Sequence, residues 1–198
     1  MGFFNSHNSH IWDEENPYAT FVNHHQHQFS VNVWAGIVGD CLIGPYLLPP
    51  RLNAHVYEIF LEEVLPELLD EHVPLAQIDV LDGMWLQHDG APAHFGINVR
   101  THLNNAYPGR WIGRGGPVEW PARSPDLTPV DFFFLRGYIK SLVYETPVDS
   151  EEELIARVVA AFDVVRNAPG IFARVRESFL RRCNICIERK GRHIENLL

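Results

Sequence analysis

Cysteine is scarce in this chain, with three in 198 residues, and Cys41, Cys183 and Cys186 are too few to staple a small disulfide framework. A reducing compartment is the expectation. Long apolar runs are also absent: nothing approaches the roughly 20 residues of a membrane-spanning helix. Met1 is followed by Gly2, Phe3, Phe4 and Asn5, without the basic start and apolar stretch of an export signal. Basic residues are outnumbered, 16 Lys and Arg against 25 Asp and Glu, so a formal charge of −9 argues against a nonspecific polyanion binder. The deficit is uneven: residues 1–147 carry 7 basic and 17 acidic groups and residues 148–198 carry 9 and 8, so any nucleic-acid role must rest on local patches. There is no internal repeat and no low-complexity tract.

What is present is core-forming material. Apolar residues make up 46% of the chain and charged ones 21%, which excludes intrinsic disorder as its main character. The first 29 residues are polar and histidine-rich, with His24, His25 and His27 in an expected solvated loop. Ser30–Val38 and Cys41–Leu48 are β-rich runs separated by Gly39-Asp40, which predicts a hairpin. Asn53 caps a predicted helix over 54–70, whose apolar residues Val56, Ile59, Phe60, Val64 and Leu68 recur at three and four. Met84–His88 predicts a short buried strand. A helical pattern in Phe95, Val99, Leu103 and Ala106 follows, and Trp111 and Ile112 suggest one more strand.

The glycine- and proline-rich stretch 113–129 reads as a long structured loop, a type usually retained for function. Thr128-Pro129-Val130-Asp131 predicts a helix start with Thr128 as N-cap, running to about Tyr144. Ser150-Glu151-Glu152-Glu153 is a capping box opening a helix that faces Leu154, Ile155, Val158, Val159, Phe162 and Val165 inward. A last helix, from about Ile171 to Lys190, should turn Phe172, Val175, Phe179 and Cys183 inward and its arginines outward.

Two carboxylates stand out by position: Asp89, at the end of a predicted strand, and Asp131, in the first turn of a later helix. Hard divalent cations take one or two such oxygens and keep waters for a substrate phosphate to replace. Two carboxylates from separate elements can therefore form most of a two-metal phosphoryl-transfer site. Asp before Gly is also a common turn pair, and Asp in a first helical turn a common cap, so spacing leaves both readings open. His88 and His94 flank Asp89 and could assist it or only pack. Cys183 and Cys186 have metal-type spacing but no second pair, which favours a buried structural pair over zinc. Arg110, Arg114 and Arg123, in or beside the glycine-rich loop, are candidate contacts to DNA phosphates.

His88-Asp89-Gly90-Ala91-Pro92-Ala93-His94, then the run from Trp120 through Ser124-Pro125-Asp126-Leu127-Thr128-Pro129-Val130-Asp131 to Phe134, together with Ser30–Gly36, resemble the catalytic domain of mariner-superfamily transposases, of the element-derived insect type. The likeness also takes in Arg110–Gly116 and His193–Leu198. The resemblance implies an α/β, RNase H-like fold, a mixed sheet with flanking helices. It implies three catalytic acidic residues, of which Asp89 is the second and Asp131 the third, with Asp126 the rival for third place.

The family's first aspartate and first strand lie upstream of the segment resembling Asn5–Trp12, and neither Asp13, Glu14 nor Asp40 takes that place. The expectation is an N-terminally truncated copy: an irregular segment 1–29, a partial catalytic core 30–147 and a helical C-terminal extension 148–198. The resemblance further implies magnesium or manganese in a two-metal site weakened by the missing carboxylate, DNA (element ends and target) as partner, a homodimer or a dimer with intact transposase, and nuclear location. DNA cleavage and strand transfer are then the ancestral activity, with little or none left in this chain. The alternatives are a non-catalytic nucleic-acid-binding or transposase-interaction module, and a small metal-dependent phosphohydrolase using Asp89, His88 and His94.

Overall fold

The computed structural model describes residues 29–75, 77, 81–121, 124–135, 137–191 and 194, with the side chains of 133–135 outside that description. The irregular N-terminal segment up to residue 28, with the histidines at 24, 25 and 27, Arg123 and most of the terminal motif lie outside the described residues. In chain order the elements are β1 (Asn32–Val38), β2 (Cys41–Leu48), α1 (Ala54–Ile59), a π-helical turn (Phe60–Val64), α2 (Leu65–His72), β3 (Leu86–Gln87), a 3-10 turn (Pro92–Phe95), α3 (Ile97–Ala106), β4 (Trp111–Ile112), a π-helical segment (Val130–Leu135), α4 (Tyr138–Val143), α5 (Glu151–Arg166) and α6 (Ile171–Glu188).

β1 and β2 form the predicted antiparallel hairpin, with Gly39 at φ +57 opening its turn. Trp34 pairs with Tyr46 and Gly36 with Ile43, so Ala35 faces both Gly44 and Pro45. Pro45 has no N–H for the ladder and Gly44 sits at φ +86, so the bulge falls where the chain cannot pair regularly. It also rephases the side chains. Cys41 and Ile43 point to one face of the hairpin and, after the extra residue, Tyr46 and Leu48 rejoin that face.

Each face of the hairpin carries its own core. Val33, Ala35, Ile37 and Leu42 pack with Ile139 and Val143 of α4, with Leu154, Val158, Phe162 and Val165 of α5, and with Ile171 and Phe172 of α6. Trp34 and Ile43 pack on the other side with Tyr57, Phe60, Leu61, Leu65, Val99, Leu103 and Trp111. The hairpin is thus the middle layer between α4–α6 and the unit formed by α1–α3 with β3 and β4. The helical C-terminal extension shares a core with the hairpin.

β3 and β4 are parallel, Leu86 opposite Trp111 and Gln87 opposite Ile112. The strands of this mixed α/β structure therefore form two separate ladders, and among the described residues no strand joins β1 to β3. Between them lies a cavity of about 1510 Å³, walled by β1, by residues 84–89 and by the start of the π-helical segment.

Several local expectations change. Asn53 caps α1 by accepting from the Val56 N–H at 3.0 Å, but the helical path beyond it widens into a π turn before α2. The single helix expected from Thr128 to Tyr144 is broken, because Gly137, at φ −118 and ψ −109, leaves helical space before α4. The Thr128 hydroxyl donates to the Ser124 carbonyl at 3.3 Å, and its own carbonyl accepts from the Asp131 and Phe132 N–H groups. At α5, Ser150 Oγ accepts from the Glu153 N–H (3.1 Å), while Glu153 returns to the Asp149 N–H (2.8 Å), one residue earlier than an ordinary capping box. Val159 faces solvent rather than core, since α4 and the hairpin cover only the Leu154, Val158 and Val165 stripe. Cys183 and Cys186 are free and only half-buried, not a buried pair, because the apolar stripe of α6 ends near Val175.

Candidate functional site

Asp89 lies just beyond β3, whose neighbour β4 fixes the chain at that point by a His88 N–H to Ile112 carbonyl bond of 3.0 Å. The chain then folds back on itself. Asp89 Oδ1 accepts from the Ala91 N–H at 3.1 Å, Pro92 starts the 3-10 turn, and the His94 N–H returns to the Ala91 carbonyl at 2.9 Å. This brings His94 Nδ1 to 2.7 Å from Asp89 Oδ1. The His94 hydrogen bond, above all, holds the Asp89 carboxyl below the usual carboxylate range against the opposing effect of partial burial. Asp89 is accordingly an anion already oriented by two donors. Gly90 beside it opens on free space: a Cβ there would meet nothing within 4 Å.

Behind the pair is a packed aromatic wall. The His88 and His94 rings stack at 4.9 Å and 4°, Tyr57 lies 4.1 Å from the His94 ring, and Trp111 meets His88 edge-on at 5.7 Å. Tyr57 Oη is 3.4 Å from His88 Nδ1. His88 Nε2 is buried with no hydrogen-bond partner and faces Gly113, where a Cβ would come within 2.6 Å of it. Burial, and secondarily the neighbouring His94, push the His88 imidazole down to about 4, so it is neutral at pH 7. His88 is thus largely packed, although it too lines the cavity that holds Asp89. The same burial, with the Asp89 charge nearby, raises the Tyr57 phenol well above its ordinary range.

Asp131 comes from the other side of the hairpin layer, at the start of the π-helical segment, where its N–H bonds the Thr128 carbonyl at 2.9 Å. A carboxylate there meets the favourable end of the helical dipole. Asp89, His94 and Asp131 all line the same 1510 Å³ cavity. Asp126 does not line it. It is buried in the loop beneath α6, and its carbonyl accepts from Arg182 Nη1 at 3.1 Å while that guanidinium also lies 4.1 Å over the Phe132 ring.

The arginines divide by role. Arg114 lies 4.1 Å over the Phe95 ring, beside the Asp89 turn. Arg110 is elsewhere, against the turn at Gly83, with Nη1 3.8 Å from where a Cβ would stand. Arg176, on the outward face of α6, is exposed as expected and also pairs with Asp40 at 2.8 Å, tying the helix to the hairpin tip. Sequence reasoning missed Arg100, whose guanidinium is 4.6 Å over the same Phe95 ring, and it missed Tyr57. Neither has a local motif; Phe95 and Arg100 five residues apart was the only signal.

Among the described residues no three His, Cys, Asp or Glu side chains converge as a ready metal cage. Two carboxylates lining one cavity from different elements are nonetheless the donor type that a hard, water-retaining cation accepts.

No family model matches the chain. The transposable element Tcb1 transposase of Caenorhabditis briggsae is 26% identical to it over 165 residues, which cover 82% of this chain and 53% of that protein. The chain spans about half the length of this curated relative. The match supports a relationship to transposases of the Tc1/mariner type, and the mixed α/β architecture is consistent with a transposase catalytic domain.

Proposed function

We propose that this chain is the catalytic-domain portion of a mariner-superfamily transposase, RNase H-like in descent, whose substrate is the phosphodiester backbone of DNA at element ends and target. The observation that carries the reading is that Asp89 and Asp131, from a strand end and a distant helical start, line one cavity. The relative's likeness over most of this chain agrees with it. Asp89 and Asp131 are the residues that would hold magnesium or manganese. Such ions supply activation of the attacking oxygen and charge neutralisation at the leaving one.

The chain's own contribution is orientation. The Ala91 N–H and His94 fix the Asp89 carboxylate toward the turn, His94 Nδ1 supplies a proton donor to it, and the His88–Tyr57–Trp111 wall keeps water from the back of the site. On this reading the two carboxylates bind metal weakly, and DNA cleavage and strand transfer are weak or lost in this chain. Nuclear location and a dimer, with itself or with intact transposase, belong to the same proposal.

The test is calorimetric titration with magnesium or manganese on the wild-type chain, on Asp89→Ala, on Asp131→Ala and on the double variant. Binding heat present in the wild type and abolished in the double variant is the expected result. Heat that survives in the double variant would move the metal elsewhere and remove these residues from the site.

A further inference from the structure

We infer that Phe95, Arg100 and Arg114 form a phosphodiester clamp beside the Asp89 turn, an anion subsite that receives the sugar-phosphate backbone of a nucleic-acid strand; this rests on, and deepens, the reading of DNA as substrate.

Two guanidiniums share one ring here. Arg100 Cζ is 4.6 Å and Arg114 Cζ 4.1 Å from the Phe95 centroid. An aromatic face attracts one cation, but two held on the same ring repel each other unless an anion joins them. Among the described residues neither guanidinium has an acidic partner, in a chain where acids outnumber bases. Arg100 Nε is moreover buried without any hydrogen-bond partner, a donor whose desolvation is uncompensated until an acceptor arrives. Stacked guanidiniums keep their in-plane N–H forks free, the geometry that grips phosphate oxygens in pairs.

The glycine loop shapes the subsite. Gly115, at φ +73, lies so close that a Cβ would stand 3.1 Å from Phe95 Cε2 and 3.3 Å from Arg100 Cδ. Only a glycine backbone passes there without moving the pair. Arg114 is on that loop and exposed; Arg100 is on α3 and half-buried, so one donor comes from a rigid element and one from the loop that closes over it. Phe95 directly follows His94, which bonds Asp89, and Gly90 leaves the space beside the turn open. A phosphate held at the clamp is thereby placed next to the Asp89 carboxylate along a continuous strand.

The experiment is fluorescence anisotropy with a fluorescein-labelled single-stranded oligonucleotide and the matching duplex, in EDTA, across a salt series, on the full chain. Working without divalent ions separates the clamp from the carboxylate site, whose test is the metal titration above. The expected result is that Arg100→Gln and Arg114→Gln each weaken binding and lower the salt slope by about one, and that the double variant lowers it by about two and affinity by about tenfold or more. Arg114→Lys keeps the slope but loses affinity, because charge remains and the fork is gone. Arg51→Gln, at an exposed position between the hairpin and α1, leaves both unchanged.

Wild-type binding that the double variant retains, in affinity and slope, overturns the clamp and leaves the carboxylate reading standing. Failure of the wild type to bind either oligonucleotide overturns the clamp and removes DNA from the functional reading as well. Binding of inorganic phosphate that depends on Arg100 and Arg114, without oligonucleotide binding, makes the subsite one for a small phosphate and also overturns the strand assignment. Circular dichroism melts of each variant identify any loss that comes from unfolding, in which case Arg114→Lys, which alters only an exposed side chain, decides.

Discussion

His88 should make this fold acid-sensitive in a defined window. Its imidazole has an ordinary value of 6.5 when the chain is unfolded and is pushed down to about 4 in the folded core. Between those values the unfolded chain binds a proton that the folded chain refuses, so stability rises with pH through the window and falls as pH is lowered. The full difference, about 2.5 pH units at 1.36 kcal/mol each, is on the order of 3 kcal/mol. Going from about pH 7 to pH 5 should already cost roughly 2 kcal/mol. The physical source is the burial of His88 between Tyr57, Trp111 and Gly113, with an Nε2 that finds no acceptor for a second proton.

Urea unfolding at a series of pH values reads the slope for the wild type and for His88→Gln, in which the other histidines still titrate. The difference between the two curves isolates this one group. Equal slopes would refute the argument, as would a histidine spectrum in which His88 titrates near its ordinary value. A nuclear magnetic resonance titration of the wild type alone gives that second answer if His88→Gln folds poorly.

Three further outcomes follow from packing. Arg157 donates to the Val143, Thr146 and Pro147 carbonyls at 3.0, 2.6 and 2.9 Å and to Glu153 at 2.6 Å, joining the end of α4 to α5; Arg157→Met should cost about 2 kcal/mol in urea unfolding, and a loss under about 0.5 kcal/mol would show those bonds to be replaceable by water. Gly113→Ala places a methyl 2.5 Å from His88 Cδ2 and should cost about 1–3 kcal/mol, with the His88 resonance displaced; an unshifted ring would mean that the loop yields instead. Leu103→Ala, which empties a fully buried position of α3, should cost about 3 kcal/mol in the same assay, and a change near zero would place Leu103 outside a packed core.

What was legible in the sequence was whatever neighbouring residues decide among themselves. The hairpin follows from two β-rich runs around Gly39-Asp40, the start of α1 from Asn53, and the start of α5 from Ser150 with Glu153. The bulge was not legible, although Gly44-Pro45 was its local cause, because its effect is to keep Tyr46 and Leu48 on the Ile43 face, and that matters only once both cores exist. The helix after Thr128 looked continuous because Gly137 costs only about 1 kcal/mol in a helix interior, a preference that tertiary packing readily overrides. Val159 looked like core because helical spacing marks a face, whereas how wide a face is covered depends on what packs against it.

The candidate site divides along the same line. Asp89 and His94 lie within six residues, and their hydrogen bond, with that from the Ala91 N–H, closes a local turn, so position in the sequence was enough to nominate the two. His88 was nominated as well, but its burial and neutral state follow from Tyr57, Trp111 and Gly113, which are distant in sequence and enclose the ring, so adjacency to Asp89 alone could not show them. Asp131 against Asp126 is the sharper case. Both follow the same proline-rich stretch, and only the fold turns Asp131 into the cavity that holds Asp89 while Asp126 lies under Arg182 of α6. Arg100 shows the limit from the other direction: nothing in its neighbourhood along the chain marks it, and its place beside Arg114 exists because α3 and the Gly115 loop converge on one aromatic ring. A motif can therefore name the residues that make a turn, whereas the partner that completes a site across elements becomes visible only when the layers that bring it there are in place.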